Sequence, residues 1–249
     1  MAAAPWRTGT VVRISEETYN TKRFFIRVDE LDAFDFTAGQ FVTLDLPISD
    51  KPSRRWRSYS IASWPDHTNV FELLIVLMEG GSGTQYLFNH VHVGSELSIR
   101  GPQGVFTLPQ PVDTDLFFIC TGTGIAPFRS MLHYLLERNL PHENLYLVFG
   151  CRTHRDLLYY DEMRGLETQI PRFRYLPTLS REEWAGHRGY VHDLYEEICL
   201  DQRENRDLPE TARPAHFYLC GWKAMVDEAR RRIAALGYDK KAVHLELYG

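Results

Sequence analysis

The sequence predicts two domains in series: an antiparallel β-barrel, then a doubly wound α/β domain on a parallel sheet. Three observations carry this prediction. The 249 residues exceed one ordinary domain of about 100–150 residues and match two. As far as Leu108, apolar residues come in short β-branched and aromatic runs broken by Asp, Gly, Pro and Ser. After Asp113, fully apolar runs alternate with amphipathic helical stretches, the pattern of strands covered on both faces. Pro109-Gln110-Pro111 marks the linker, giving domains 1–109 and 110–249.

In the first domain the strand signals are Gly9–Ile14, Thr21–Val28, Gly39–Leu46, Arg57–Ala62, Asn69–Leu77 and Glu96–Arg100. Their regular spacing suits a closed barrel, interrupted by one helical stretch near Thr84–Val91. Gly101-Pro102-Gln103-Gly104 reads as a turn. In the second domain the strands are Leu116–Cys120, Leu145–Gly150, Phe173–Leu179, Phe217–Cys220 and Val243–Tyr248. The helices are Pro127–Arg138, Asp156–Thr168, Tyr190–Leu200 and Lys223–Leu236.

Composition excludes several functions. Lys and Arg total 28 against 33 Asp and Glu, a net charge of -5, and a nucleic-acid binder normally carries a basic excess. No apolar run approaches the roughly 20 residues of a membrane span, and Met1 to Thr10 lack the features of a signal or transit peptide. Cys120, Cys151, Cys199 and Cys220 are scattered with no CxxC. That usage suggests a reducing compartment, hence a cytoplasmic location, and excludes an iron–sulfur cluster bound by this chain. No HExxH pair occurs, so no metal site is expected.

Three segments carry candidate chemistry. Thr121-Gly122-Thr123-Gly124-Ile125-Ala126-Pro127 joins a parallel strand to a helix. Glycines there let the backbone approach a diphosphate, and the helix's unpaired N–H groups favour an anion. Pro127 takes the place of the third glycine of GxGxxG, so the segment is either an anion site of another kind or a tight turn without a ligand. Arg57-Ser58-Tyr59-Ser60 offers a cation, two hydroxyls and a ring on alternate sides of a strand. It suits a phosphate-bearing planar ligand, or equally an ordinary edge strand with a solvated Arg. Gly80-Gly81-Ser82-Gly83-Thr84 opens the barrel domain's helix and makes a second glycine-rich helix start. Two anion sites on two domains suggest two nucleotides.

Taken in order, RSYS, the GGxGT turn, TGTGIAPFRSML, YLCGWKAM and a carboxyl-terminal ELY resemble the ferredoxin–NADP reductase family from about residue 7 onward. The resemblance implies FAD on the barrel. Arg57 and Ser58 would lie at the diphosphate strand, Tyr59 against the isoalloxazine and Ser60 near flavin N5. Ile75, Val76 and Leu77 would line the ring, and Gly83 and Thr84 would offer N–H groups to the diphosphate. It implies NADP(H) on the α/β domain, with Gly122, Thr123 and Gly124 at its nicotinamide and diphosphate end and Arg152 bringing a cation. Ser180, Arg181 and Arg188 would hold the 2′-phosphate, as in the plant-type branch, and Tyr190 would stack on adenine. The alternative for this stretch is a solvated loop in which Arg181-Glu182-Glu183 neutralises itself.

The same resemblance gives Ser60, Cys220, Glu246 and Tyr248 the task of aligning nicotinamide with flavin, Tyr248 also stacking on the flavin as a gate. Gly249 follows Tyr248, where the plant-type pattern ends on Tyr. The implied function is a ferredoxin (or flavodoxin)–NADP(+) oxidoreductase: hydride transfer between NADP(H) and FAD, coupled to single-electron exchange with a separate carrier. Lys51, Arg54, Arg55 and Arg57 form a basic cluster suited to steering an acidic carrier, or simply a solvated loop. Two other readings stay open. One is an NAD(P)H-dependent reductase component feeding an oxygenase; the other is a non-catalytic subunit that keeps the fold.

Overall fold

The computed structural model describes residues 4–204 and 214–248, apart from the side chains of Arg203, Glu204 and Tyr248. The chain divides into two compact units. One comprises the residues up to Leu108 with Ala126–Tyr134; the other comprises Pro109–Ile125 and the residues from Leu135 on.

The first unit is built on six antiparallel strands: β1 (Trp6–Thr18), β2 (Thr21–Arg27), β3 (Phe41–Asp45), β4 (Trp56–Ser60), β5 (Val70–Val76) and β6 (Glu96–Gln103). Their order is β4-β3-β6-β1-β2-β5. The two outer strands meet just beyond Ser60, where Ile61 bridges Leu73 and the Ala62 N–H donates to the Glu72 carbonyl at 2.8 Å. That seam closes the sheet into a barrel and removes its open edges.

Period-two alternation sends Phe24 and Ile26, Val42 and Leu44, Phe71, Leu73 and Ile75, and Leu97 and Ile99 inward. Each such side chain contributes about 1.5–3 kcal/mol by leaving water. Helix α1 (Ser82–His90) covers one end through Leu87. Strand β6 runs through Pro102 to Gln103, which pairs with Phe41, so the turn expected at Gly101 waits until Gly104 at φ +106°.

The second unit carries β7 (Asp115–Thr121), β8 (Leu145–Cys151), β9 (Phe173–Leu179), β10 (His187–Arg188), β11 (Ala215–Trp222) and β12 (Val243–Tyr248). All pairings are parallel, in the order β10-β9-β8-β7-β11-β12. The central strands are buried nearly throughout, and Phe117 stacks between Tyr146 and Phe217 at 4.7 and 4.8 Å. The helices are α2 (Ala126–Glu137), whose opening turns belong to the first unit, α3 (Tyr160–Gln169), α4 (Val191–Glu204) and α5 (Lys223–Ala235).

Helix α3 starts later than the sequence suggested. A capping box between Thr153 and Asp156 closes a separate 3₁₀ turn over His154–Asp156, and Tyr159 at φ 51° breaks the chain before Tyr160. Among the described residues no helix is long and apolar enough to cross a membrane.

Candidate functional site

On the first unit, Arg57 and Tyr59 project from one side of β4, two residues apart. The Arg57 guanidinium donates from Nη1 to the carbonyls of Arg54 and Trp56 at 3.0 and 2.8 Å, and from Nη2 to Ser82 Oγ at 3.4 Å. It therefore lies over the start of α1. A Cβ on Gly83 would come within 3.0 Å of Arg57 Cγ and 3.1 Å of Nε, so any larger residue would crowd the arginine side chain. Gly81 caps the helix without a side-chain hydrogen bond. Thr84 Oγ1 is committed to the turn itself, accepting from the Met78 N–H at 3.0 Å and donating to the Gly81 carbonyl at 3.1 Å. A helix start without a side-chain cap, under a fixed guanidinium, has the donors to cradle an anion such as a diphosphate.

Ser58 turns to the other face of β4, where its hydroxyl meets Thr43 Oγ1 at 3.1 Å. The half-buried Tyr59 ring packs on the barrel core, and burial pushes its hydroxyl up to about 12, so it stays neutral. Ser60 is buried at the barrel seam. Ile75 is buried, while Val76 and Leu77 are half-exposed as β5 leaves the sheet, with the Leu77 N–H donating to the Asn20 carbonyl at 2.7 Å. The residues around the cradle fit FAD: a diphosphate anchor, a neutral ring and an apolar strand end.

On the second unit the strand order reverses between β7 and β11, the crevice where open α/β sheets bind ligands. Gly122–Ile125 form a 3₁₀ turn beyond β7, with Gly122 at φ +54° and open space where its Cβ would be. Gly124 crosses β11 so closely that a Cβ would lie 2.3 Å from the Cys220 carbonyl oxygen. At the same switch point Thr121 Oγ1 is buried without a hydrogen-bond partner. Thr121 belongs to the sequence motif, but nothing in the sequence shows that its hydroxyl is left without a partner. These features fit a nucleotide.

Cys220 is fully buried, in register with Cys120 of β7 on one side and Glu246 of β12 on the other. Burial also pushes the Cys120 thiol well up, so it stays protonated. Tyr248 ends β12 by its backbone, but its side chain, like Gly249, lies outside the described residues.

At the sheet's other margin the backbones of Arg152, Ser180, Arg181 and Arg188 converge. The Arg181 N–H donates to the Arg152 carbonyl at 2.9 Å, the Ser180 N–H to the Cys151 carbonyl at 3.0 Å, and Arg188 pairs with Leu179. The Ser180 hydroxyl is committed to the Cys151 carbonyl at 3.2 Å. Arg152 and Arg181 are exposed. Arg188 is paired at 2.6 Å with Glu183, and Glu182 accepts from the backbone and ring of His154 at 2.9 and 2.7 Å. Tyr190, 69% exposed, stands beside this edge. The acidic pair thus does not simply neutralise Arg181: Glu182 goes to His154 and Glu183 to Arg188.

Comparison with known proteins matches these two regions to two family models. An oxidoreductase FAD-binding domain covers residues 8–108, and an oxidoreductase NAD-binding domain covers 118–231. Fold and sites together define an FAD-dependent oxidoreductase that uses a nicotinamide nucleotide.

Ferredoxin--NADP reductase B of Sorangium cellulosum is 38% identical over 224 residues, covering 87% of this chain and 86% of that protein. The chain belongs to the ferredoxin–NADP reductase family. The glycine betaine monooxygenase reductase subunit of Pseudomonas aeruginosa is 29% identical over 96% of this chain, which spans 63% of that protein's length. Among solved structures, the Amycolatopsis cytochrome P450 reductase GcoB superposes with a TM-score of 0.83 at 27% identity, over 99% of this chain and 71% of that one.

Proposed function

We propose that the protein exchanges electrons between NADP(H) and a small one-electron carrier, a ferredoxin or flavodoxin, in the cytoplasm. The single observation that carries the choice of NADP(H) is the convergence of Arg152, Arg181 and Arg188 at the carboxyl ends of neighbouring strands. A phosphate monoester is a dianion that rewards several charged, forked donors, and a 2′-hydroxyl would need none of them. The four free cysteines support a reducing compartment. The family models, ending at 108 and resuming at 118, support a domain boundary at 109/110.

FAD, when bound, links the two-electron chemistry of NADP(H) to the one-electron chemistry of the carrier. This chain's residues bind and orient. Arg57 and the N–H groups of Gly83 and Thr84 hold the diphosphate. Tyr59 would support the ring, Ile75, Val76 and Leu77 would border it, and Ser60 would lie near its reacting edge. Gly122, Thr123 and Gly124 receive the nicotinamide end of NADP(H), which Cys220 and Glu246 align. Ser180 shapes the 2′-phosphate loop through its bond to Cys151. Tyr190 stacks on adenine, and Tyr248 is assigned the flavin gate.

The test is an anaerobic visible spectrum followed by one equivalent of NADPH or, in parallel, NADH. Fast bleaching by NADPH with slow bleaching by NADH is expected. Equal bleaching by both would remove the phosphate site, and a protein that neither contains nor takes up FAD would remove the enzyme reading.

A second reading is an NADH-using reductase component for an oxygenase. It is supported by the similarity to the glycine betaine monooxygenase reductase subunit and by the acidic Glu183 held on Arg188.

A further inference from the structure

Arg129 is 4% exposed, although arginine is among the residue types least often buried whole. Its Nη1 donates to the Ala62 carbonyl at 2.8 Å and to Glu72 Oε2 at 3.2 Å. Glu72, 2% exposed, also receives Arg23 through Nε and Nη2 at 2.6 and 2.9 Å. The Arg129 guanidinium lies 5.3 Å from the Trp64 ring centroid, and Trp64 stacks at 3.9 Å on His133, one turn further along α2. All these groups belong to the first unit.

Ala62 and Glu72 are the two sides of the barrel seam. The seam separates the two segments assigned to the flavin: Ser60 lies two residues before Ala62, and Ile75 three residues after Glu72. A single guanidinium therefore bridges both. Trp64 and His133 fix its approach, and Arg23 binds both carboxylate oxygens of Glu72, so Oε2 takes a bond from each arginine and the buried carboxylate is held from two sides.

We propose that Arg129 is a positioning residue for the flavin: by clamping the seam it sets Ser60 relative to the end of β5. This deepens the reading of that face as the flavin site and rests on it. Both bonds leave one nitrogen, Nη1, while the planar guanidinium also lies over the Trp64 ring, a contact that the compact ammonium of lysine reproduces less well.

The test uses the FAD-loaded full chain with Arg129→Gln, Arg129→Lys and the reference variant Arg57→Met. Visible circular dichroism of the bound flavin, the anaerobic rate of its reduction by NADPH, and thermal stability are measured. Arg129→Gln is expected to change the flavin dichroism and slow reduction at least tenfold with NADPH saturation unchanged, and Arg129→Lys to recover part of both. Lower thermal stability with unchanged dichroism and rate would overturn the proposal and leave a purely structural clamp. If Arg129→Gln does not fold, Arg129→Lys decides alone: wild-type dichroism and rate in that variant overturn the proposal. If Arg57→Met binds FAD as tightly as wild type, it is the location of the flavin site that fails.

Discussion

At the scale of single residues, two arginines stand in different situations. Arg57 is held over an uncapped helix start, with its own hydrogen bonds spent mainly on the carbonyls of Arg54 and Trp56. Hydrogen bonds from a charged group contribute about 1.5–3 kcal/mol each. Arg57→Met should therefore weaken FAD binding about ten- to a hundredfold, measured by titrating the apoprotein and following flavin fluorescence. Arg188 is engaged differently, by Glu183, which is 83% exposed at its side chain. An exposed pair of this kind is worth about 0.2–1 kcal/mol, and NADP(+) bound as proposed would compete with it. Glu183→Gln should tighten NADP(+) up to about fivefold and leave NAD(+) unchanged, as read by calorimetry. The sequence supplied the candidate cations, whereas Glu183's choice of Arg188 over Arg181 depends on the loop that Trp184 closes by donating to the His187 carbonyl at 2.6 Å.

At the scale of elements, the switch point depends on backbone approach. The 3₁₀ turn after β7 passes β11 at Gly124, and Gly124→Ala would push a methyl into the Cys220 carbonyl. The expected cost is about 1–3 kcal/mol, seen as a lower urea midpoint, with weakened NADP(+) binding.

Strands β11 and β12 are joined by His216 and His244, whose ring nitrogens lie 3.0 Å apart. Burial and His216 lower the His244 pKa, and burial likewise lowers that of His192. A histidine whose folded pKa is depressed contributes full stability above its unfolded value near 6.5, and that contribution is lost as pH falls towards the folded value. Urea midpoints should therefore fall between pH 7 and pH 5, and His244→Gln should make the fall shallower. An unchanged slope in that variant would remove His244 from the acid response.

At the scale of the whole molecule, charge is unevenly distributed. The chain carries a net charge of -5, yet Lys51 and Arg54 are exposed beside β4 without an ion-pair partner among the described residues. Of the four cations in that sequence cluster, Arg55 is paired with Asp45 at 2.7 Å and Arg57 is turned to the α1 cradle. On the proposed reading, steering of an acidic carrier would fall to Lys51 and Arg54. The double variant Lys51→Glu with Arg54→Glu should slow electron transfer to a ferredoxin several-fold at low salt and converge with wild type at high salt, while flavin reduction by NADPH is unchanged. Stopped-flow rates across ionic strength check this.

Short β-branched and aromatic runs between turn residues, then continuous apolar runs between amphipathic helices, were enough to determine both architectures, because strand and turn composition is a local property of the chain. The three glycine- and hydroxyl-bearing segments stand out in the sequence by their residue types, not by any apolar period. Strand β10 was not legible: two exposed residues, His187 and Arg188, carry no periodicity and become a strand only by pairing with Thr178 and Leu179. The late start of α3 was hidden as well, because the Thr153–Asp156 capping box competes with the helical pattern. Tertiary structure alone closed the barrel at Ile61 and Leu73, orphaned Thr121 Oγ1 at the switch point and drew Arg129 onto Ala62 and Glu72. Each depends on segments distant in sequence meeting in a space without water, where one hydrogen bond made or missed outweighs any local preference.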